Sequence, residues 1–406
     1  MDDAMPGRQP VHTVYGGAHL FRAEVAEKLG GVARRALEAH APDAASLQEA
    51  LGTEEEPAEL WERVYGRVVE KLEAEPVEDF RIDFEDGYGY PPVEEEDAVA
   101  DTAADELARA MEEELLPPFV GIRIKPFSAE LVERGKRTLL RFVRRLAGRT
   151  GGELPANFVV TLPKVAVPEQ VGKLIDLFEE LEEETRVPVG ALKAEIMVET
   201  PRSIMAADGR SPLPVLVRAG RGRCVAAHFG VYDYTASLGI TAAHQELDHP
   251  ACDFARHMMQ VALGDLGIML SDGATNVLPV GDPDTVRRAW RLHYRHVRHS
   301  LAHGWYQGWD LNPAQLPTRY AAVYAFFLEQ LEEATGRLAG FLRDTAQATL
   351  SGEVMDDAAT GGALLTFFRR GLTCGAITEE EVRDAGVTPA ELAAPTLVSI
   401  LESRSA

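Results

Sequence analysis

The chain has 406 residues, with 41 Lys and Arg against 65 Asp and Glu, a formal net charge of −24. A charge of that sign and size repels phosphate backbones and anionic lipid, so neither nucleic acid nor a membrane surface is an expected partner. Apolar residues make up 46% and charged residues 26%, which excludes a disordered or collagen-like chain. No apolar stretch reaches the ~18 residues of a membrane span, and MDDAMPGRQP has neither the basic start nor the apolar core of a secretion signal. Cys224, Cys252 and Cys374 are odd in number and far apart. Neither a disulfide framework nor a thiolate zinc site is expected from them, and the expected location is cytoplasmic.

VHTVYG (11–16) reads as a first strand, and Ala18 to about His40 as a long helix. The segment 41–79 is acidic and Ala-rich and reads as an inserted helical excursion. FRIDFED (80–86) is a second strand, and the acidic run 94–114 a helix with a solvated face. FVGIRI (119–124) is a third strand and NFVVTLPK (157–164) a fourth. PEQVGKLIDLFEELEEE then shows the apolar spacing of a helix. KAEIMVET (193–200), CVAAHFGVYD (224–233), GIMLSDG (267–273) and GWYQGWDL (304–311) complete eight strands. Strands alternating with helices predict a parallel sheet, and eight of them a closed (β/α)8 TIM barrel over residues 1–316. From Pro317 the strand signal stops, and residues 319–345 carry a strong helix pattern. Residues 317–406 read as a C-terminal helical module, a lid or an oligomerisation element.

Barrel enzymes collect their catalytic groups at the C-terminal ends of the strands. Here the strands end in Asp83, Glu85 and Asp86, then Arg123 with Lys125 beyond it, then Lys164, Glu199, Asp233, Asp272 and Asp310. Several carboxylates with an Arg and a Lys, and no Cys or His cluster, suit a hard divalent cation such as Mg²⁺. Such a cation acts as a Lewis acid on a carbonyl or enolate oxygen. Each residue also has a plain structural reading. Glu85 and Asp86 fit helix caps, Arg123 an ion pair with them, Lys164 a structural ion pair, and Asp310 a structural role. Asp356 lies in a loop of Gly, Asp and Ala, where a solvated turn is the default, and His19 reads as a surface cap.

IDFEDGY, GIRIKPF, VTLPKVAV, MVETPRS and HFGVYDYT occur in that order. The ordered set resembles the citrate lyase β-subunit-like enzymes, the branch of the HpcH/HpaI aldolase superfamily that includes malyl-CoA lyases; malate synthase is a more distant likeness. HPACDFARHMMQVALGDLGIMLSDG, GWYQGWDLNPAQL and SGEVMDDAAT resemble the family's segments before the seventh strand, at the eighth strand and in the C-terminal lid. The likeness runs over roughly residues 11–370. It implies that Glu199 and Asp233 are Mg²⁺ ligands, with Mn²⁺ as the alternative ion. It implies that Arg123 binds the substrate's carboxylate or keto oxygen, that Glu85 and Asp86 hold metal-bound waters, and that Lys164 lines the pocket. Asp356 matches a lid acid/base that a neighbouring subunit often supplies, so a homo-oligomer is expected. Three departures touch the pocket loops. Asn312 stands in place of a histidine, Pro201 and Arg202 in place of small residues, and the first and fifth strand–helix connections are longer.

The expected function is a Mg²⁺-dependent carbon–carbon lyase or aldolase. Its substrate would be a hydroxy acid or its CoA thioester, and its products a 2-oxo acid and an enolate-derived partner. The alternatives are malate synthase-like condensation, phosphoryl transfer on phosphoenolpyruvate, and a catalytically silent sensor or assembly subunit. No Walker loop or kinase glycine loop supports an ATP site, and no basic patch for a CoA phosphate is evident.

Overall fold

Eight short strands pair in sequence order, all parallel. They are β1 (His12–Gly17), β2 (Asp79–Asp83), β3 (Phe119–Arg123), β4 (Phe158–Leu162), β5 (Lys193–Val198), β6 (Cys224–Phe229), β7 (Met269–Ala274) and β8 (Gln307–Asp310). β1 pairs with β2 on one side and β8 on the other, which closes the barrel. The computed structural model describes residues 8–351, 358–394 and 396–405. All eight predicted strands are present.

Helices follow in the order α1 (Val25–His40), α2 (Ala44–Leu51), α3 (Ala58–Ala74), α4 (Val93–Glu112), α5 (Val132–Thr150) and α6 (Pro168–Glu184). After β5 come α7 (Pro201–Ile204) and α8 (Leu213–Ala219), and after β6 come α9 (Val231–Ser237) and α10 (Pro250–Leu263). α11 (Pro283–Ala302) lies between β7 and β8. α12 (Leu316–Ser351), α13 (Ala358–Thr373), α14 (Glu379–Asp384) and α15 (Leu397–Ser405) finish the chain. The 41–79 excursion is therefore α2 and α3. α2 begins with a reciprocal Asp43–Ser46 capping box and stops at Gly52, whose left-handed φ of 76° suits glycine. The apolar stripe of α12 lies along α3 and α11, and its Tyr320 and Tyr324 belong to the same hydrophobic core as the barrel. Among the described residues no helix is long and apolar enough to cross a membrane. Cys224, Cys252 and Cys374 are free and buried.

The acidic face of α4 is not simply solvated. Asp97, Asp101 and Asp105 pair with Arg137, Arg141 and Arg145 of α5, at one helical turn per rung. Exposed pairs of this kind contribute about 0–1 kcal/mol each, so the ladder sets the register of α4 on α5 more than it holds the fold.

Side chains alternate across a strand. Phe80 and Ile82, like Ile122, Val160, Ile196 and Phe229, join the hydrophobic core. The opposite parity carries polar residues into the barrel. Arg81 reaches across it to Glu195, with Nη2 2.6 Å from Oε1 and Nε 3.0 Å from Oε2, and also donates to Asp79. Thr161 donates to Glu195 at 2.9 Å, Thr13 to Asp79 at 2.8 Å, and Gln307 to Thr13 at 3.0 Å. Burial opposes the charge on Glu195, but Arg81 and His228 outweigh it and hold the carboxyl below the usual range. Removing one partner of such a buried pair strands the other. Arg81→Leu should therefore destabilise the fold by about 3–5 kcal/mol. The double variant Arg81→Leu, Glu195→Leu should recover part of that loss in urea unfolding. Equal stability of Arg81→Leu and wild type would show that the network holds nothing.

Candidate functional site

The inward parity of β2 continues past its end, from Asp83 to Glu85. The Asp83 carboxylate accepts the backbone N–H of Glu85 at 2.9 Å and of Gly87 at 2.7 Å, which turns the chain over the barrel mouth. It also receives Arg123 from the end of β3, with Nε at 2.7 Å and Nη2 at 2.5 Å. The guanidinium lies over the ring of Tyr15, 4.7 Å from its centroid, and 6.0 Å from that of Trp309. Its remaining nitrogen, Nη1, is 3.1 Å from Glu85 Oε2 and 3.9 Å from Asp86 Oδ2. Burial works against the Arg123 charge, yet Asp83 more than compensates and raises its pKa further. Lys125 is not at the mouth. It donates to the carbonyls of Phe84 at 2.6 Å and Gly89 at 2.8 Å and so fixes the loop after β2.

Lys164 follows β4 with a left-handed φ of 53°. A non-glycine residue there stores about 1 kcal/mol or more of strain. The conformation is held at both ends of the residue. Its backbone N–H donates to Glu199 Oε1 at 2.5 Å, and its ammonium sits 2.6 Å from Glu85 Oε1, 3.6 Å from Asp233 Oδ2 and 3.8 Å from Asp86 Oδ1. Burial would lower the Lys164 pKa, but Glu85 overrides it and the net direction is up.

Glu199 follows β5 and is 2% exposed. Burial above all, then Glu85 and Asp233, push its carboxyl up to about 8. Gly230, after β6, is glycine for a local reason: a Cβ there would lie 2.5 Å from Glu199 Cβ. Asp233 is not a strand-end residue as expected, because the chain turns helical at Val231 and Asp233 falls in the first turn of α9. Glu85 is buried, and burial raises its pKa against the opposing Arg123. Asp86 and Asp233 are the exposed members, with side chains 62% and 47% accessible.

The structure thus gathers Glu85, Asp86, Arg123, Lys164, Glu199 and Asp233 at one mouth. Asp356 lies outside the described residues. Asp272 and Asp310 do not belong to the rim. Both point away from the barrel interior, Asp272 to Arg256 and Ser300 at 2.9 and 2.6 Å, Asp310 to Arg319 and His293, both at 2.9 Å. Asn312 caps a short turn by accepting the N–H of Ala314 at 2.9 Å. Sequence reasoning gave no role to Asp83, Tyr15 or Trp309, the groups that hold Arg123. The alternation Asp79, Arg81, Asp83, Glu85 was the available signal for Asp83.

A cavity of about 830 Å³ opens at the other end of the barrel, lined in part by Asp79, Arg81, Asn157, Lys193, Glu195 and Gln307. Its charged floor is the paired network described above, whereas the mouth carries crowded acids and backbone strain. The mouth is therefore the candidate site.

A family profile described as "Domain of unknown function (DUF6986)" matches residues 3–400. The chain belongs to the DUF6986 family. A search among curated proteins finds no match to it. Among solved structures, a citrate lyase from Burkholderia xenovorans LB400 superposes on this DUF6986 chain with a TM-score of 0.59 at 18% identity, covering 94% of this chain and 96% of that one. Haloferax volcanii malate synthase in a magnesium/glyoxylate complex matches with a TM-score of 0.48 at 17% identity, over 77% of this chain and 74% of its own. A citrate lyase beta subunit from M. tuberculosis, complexed with oxaloacetate and magnesium, matches with a TM-score of 0.40 at 19% identity, over 64% and 93%. The Burkholderia likeness is one of fold: a closed parallel barrel of this architecture.

Proposed function

We propose that the protein is a Mg²⁺-dependent carbon–carbon lyase or aldolase. It would cleave a hydroxy acid, or its CoA thioester, to a 2-oxo acid and an enolate-derived product. The observation that carries this reading is the convergence of Glu199, Asp233 and Glu85 at one barrel mouth with Nη1 of Arg123, the guanidinium nitrogen that Asp83 does not hold. The donor chemistry fits a hard cation. Glu199 is raised to about 8 by burial among like charges, and the buried Glu85 Oε2 has only the ion-pair contact with Arg123 Nη1 at 3.1 Å and no hydrogen bond of good geometry. Glu199 and Asp233 would hold the ion, Mg²⁺ or alternatively Mn²⁺, with Glu85 and Asp86 reaching it through water. When bound, the ion supplies Lewis-acid polarisation of the substrate's oxo group and neutralises developing enolate charge.

The protein groups do the rest. Arg123 Nη1 would donate to the carboxylate or keto oxygen of the oxo-acid portion, since Asp83 occupies the other edge of the fork. Lys164 would move between Glu85 and Asp233 as the charge of the site changes. In cleavage a base takes the hydroxyl proton, the hydroxyl oxygen becomes the new oxo group, and the carbon–carbon bond pair passes to the departing enolate. The resemblance of SGEVMD to a lid segment assigns that base role to Asp356, acting from a neighbouring subunit of a homo-oligomer and closing only on bound substrate. Condensation in the malate synthase sense would use the same groups in reverse.

The test is a screen of 2-oxo acids and hydroxy acids, with and without acyl-CoA partners, in Mg²⁺ with mass-spectrometric detection. Turnover that EDTA abolishes is expected. Metal-independent turnover, or none with any substrate, would overturn the reading. The shared-site element has its own check. Asp356→Ala and Glu199→Ala proteins should each be inactive, and mixing them under subunit exchange should restore activity up to about a quarter of wild type, on the statistics of random pairing in a two-chain site. Full turnover by Asp356→Ala alone would place the base on the barrel rim.

A further inference from the structure

The outer helical layer carries a second group of metal-ligand chemistry, on α10 and α11 at either side of β7. Asp253 and His257 are four residues apart on α10. His299 and His303 are four residues apart at the end of α11, where His303 is the C-cap. Residues four apart share one helix face, and the two faces meet. His299 Nε2 is 2.8 Å from Asp253 Oδ1, the His299 and His303 rings are 4.4 Å apart between centroids, and those of His257 and His303 are 5.7 Å apart. One ligand atom each from Asp253, His299 and His303 lies within 4.8 Å of the others. None of these residues contacts the mouth carboxylates.

The plain reading is a hydrogen-bonded Asp253–His299 staple with a histidine closing the helix end. It leaves two features over. His303 Nδ1 is 2.8 Å from the His299 carbonyl oxygen and donates to it, a contact that in the neutral ring leaves the lone pair on Nε2. A backbone carbonyl holding one ring nitrogen is how metal-binding histidines are set in tautomer and orientation. His257, exposed, adds a third imidazole beside His303 and makes no hydrogen bond among the described residues. One helical turn between two imidazoles is the spacing with which a helix presents a pair of metal ligands.

We infer that Asp253, His299 and His303, with His257 as fourth ligand, form a binding site for a divalent transition cation of the zinc class. Three imidazoles and one carboxylate favour such an ion over Mg²⁺, which prefers all-oxygen surroundings. Zinc–ligand distances of about 2.0–2.2 Å put ligand atoms about 3.3 Å apart. The 2.8 Å Asp253–His299 contact must therefore open slightly and the 4.8 Å spread must close. Side-chain rotation on the two helices would have to do both, and also bring in His257, which lies outside the three ligand atoms that fall within 4.8 Å of one another. Arg256 donates to Asp253 and competes for it, but Arg256 also holds Asp272 at 2.9 Å, so it keeps a carboxylate partner when Asp253 turns to the ion. The bound ion would tie α10 to α11 across the outside of β7. The site is independent of the chemistry proposed at the mouth.

The test uses tag-free full-length protein in excess Mg²⁺, which occupies hard-oxygen sites. Zn²⁺ is titrated by calorimetry, and Co²⁺ serves as a spectroscopic probe of ligand geometry. One equivalent should bind, with visible Co²⁺ absorption and a Tm that rises with Zn²⁺. His303→Gln should remove this binding. His257→Ala, an exposed change that leaves packing alone, should weaken it on the order of 10-fold. Glu199→Gln should leave it unchanged. Wild-type affinity in both histidine variants, or no stoichiometric binding by wild type, would overturn the site; loss of Zn²⁺ binding in Glu199→Gln would do so too.

Discussion

Glu199→Gln should lose roughly 10³-fold or more of Mg²⁺-dependent turnover while the metal-free protein becomes more stable at alkaline pH. Both effects have one cause. Glu199 is buried beside Glu85 and Asp233, and burial first, then those charges, push its carboxyl up to about 8. A group whose pKa is raised on folding stabilises the folded state while it stays protonated. That contribution is complete below the ordinary carboxylate range and is lost as pH climbs to about 8. At 1.36 kcal/mol per unit, a rise from 4.5 to about 8 makes the loss on the order of 5 kcal/mol. Gln keeps the shape and cannot ionise, so its profile should lack this loss and fall less steeply than wild type across that window. Mg²⁺ should raise the Tm of wild type above pH 8 and leave that of Glu199→Gln unmoved. Thermal unfolding across pH 5–9, with and without Mg²⁺, reads all of this. Parallel pH profiles for the two proteins, or retained turnover by the variant, would remove Glu199 from the metal site.

The barrel was legible because its strands are short apolar runs separated by helices long enough to force parallel pairing. Their outward parity, as in Phe80 and Ile82 or Val160 and Leu162, carries the Val, Ile, Leu and Phe that made the runs visible. Direction was harder to read than position. Asp272 and Asp310 sit in strands just as Asp83 does, yet they meet Arg256 and Arg319 of the helical layer while Asp83 meets Arg123 inside. A one-residue difference in parity sends a side chain to the other face. β7 carries a register shift between Ser271 and Ala274, which makes simple counting along it unsafe. The interior pairing of Arg81 with Glu195 joins residues 114 positions apart, a contact that no local pattern announces. The metal-ligand spacing on α10 and α11 was hidden for the same reason. α11 shows His293, His296 and His299 with His303 just beyond them, but only the packing of the two helices reveals that His299 and His303 are the ones that meet Asp253.

Arg123→Lys should raise the KM for the oxo acid by about 10–100-fold and lower the Tm. The reason lies in how Arg123 is held. Two of its nitrogens grip Asp83 at 2.7 and 2.5 Å, its plane covers Tyr15, and only Nη1 is left to face Glu85 at 3.1 Å and the open mouth. A lysine ammonium is a single point of charge and cannot satisfy Asp83 and reach the Nη1 position together. If it stays with Asp83, the substrate loses a charge-assisted hydrogen bond, about 1.5–3 kcal/mol and hence the rise in KM. If it turns to the substrate, a carboxylate that is 1% exposed keeps only the backbone N–H groups of Glu85 and Gly87, and the loss appears in stability instead. Asp83→Asn separates the two effects. It keeps the guanidinium but weakens the grip that aims it, so substrate binding should fall less than in Arg123→Lys while the Tm falls comparably. Calorimetry of oxo-acid binding to the three proteins gives the order. Equal affinity in wild type and Arg123→Lys would mean that Nη1 never meets the substrate, and Lys164, which faces Glu85 and Asp233 in the same mouth, would be the next cation to test.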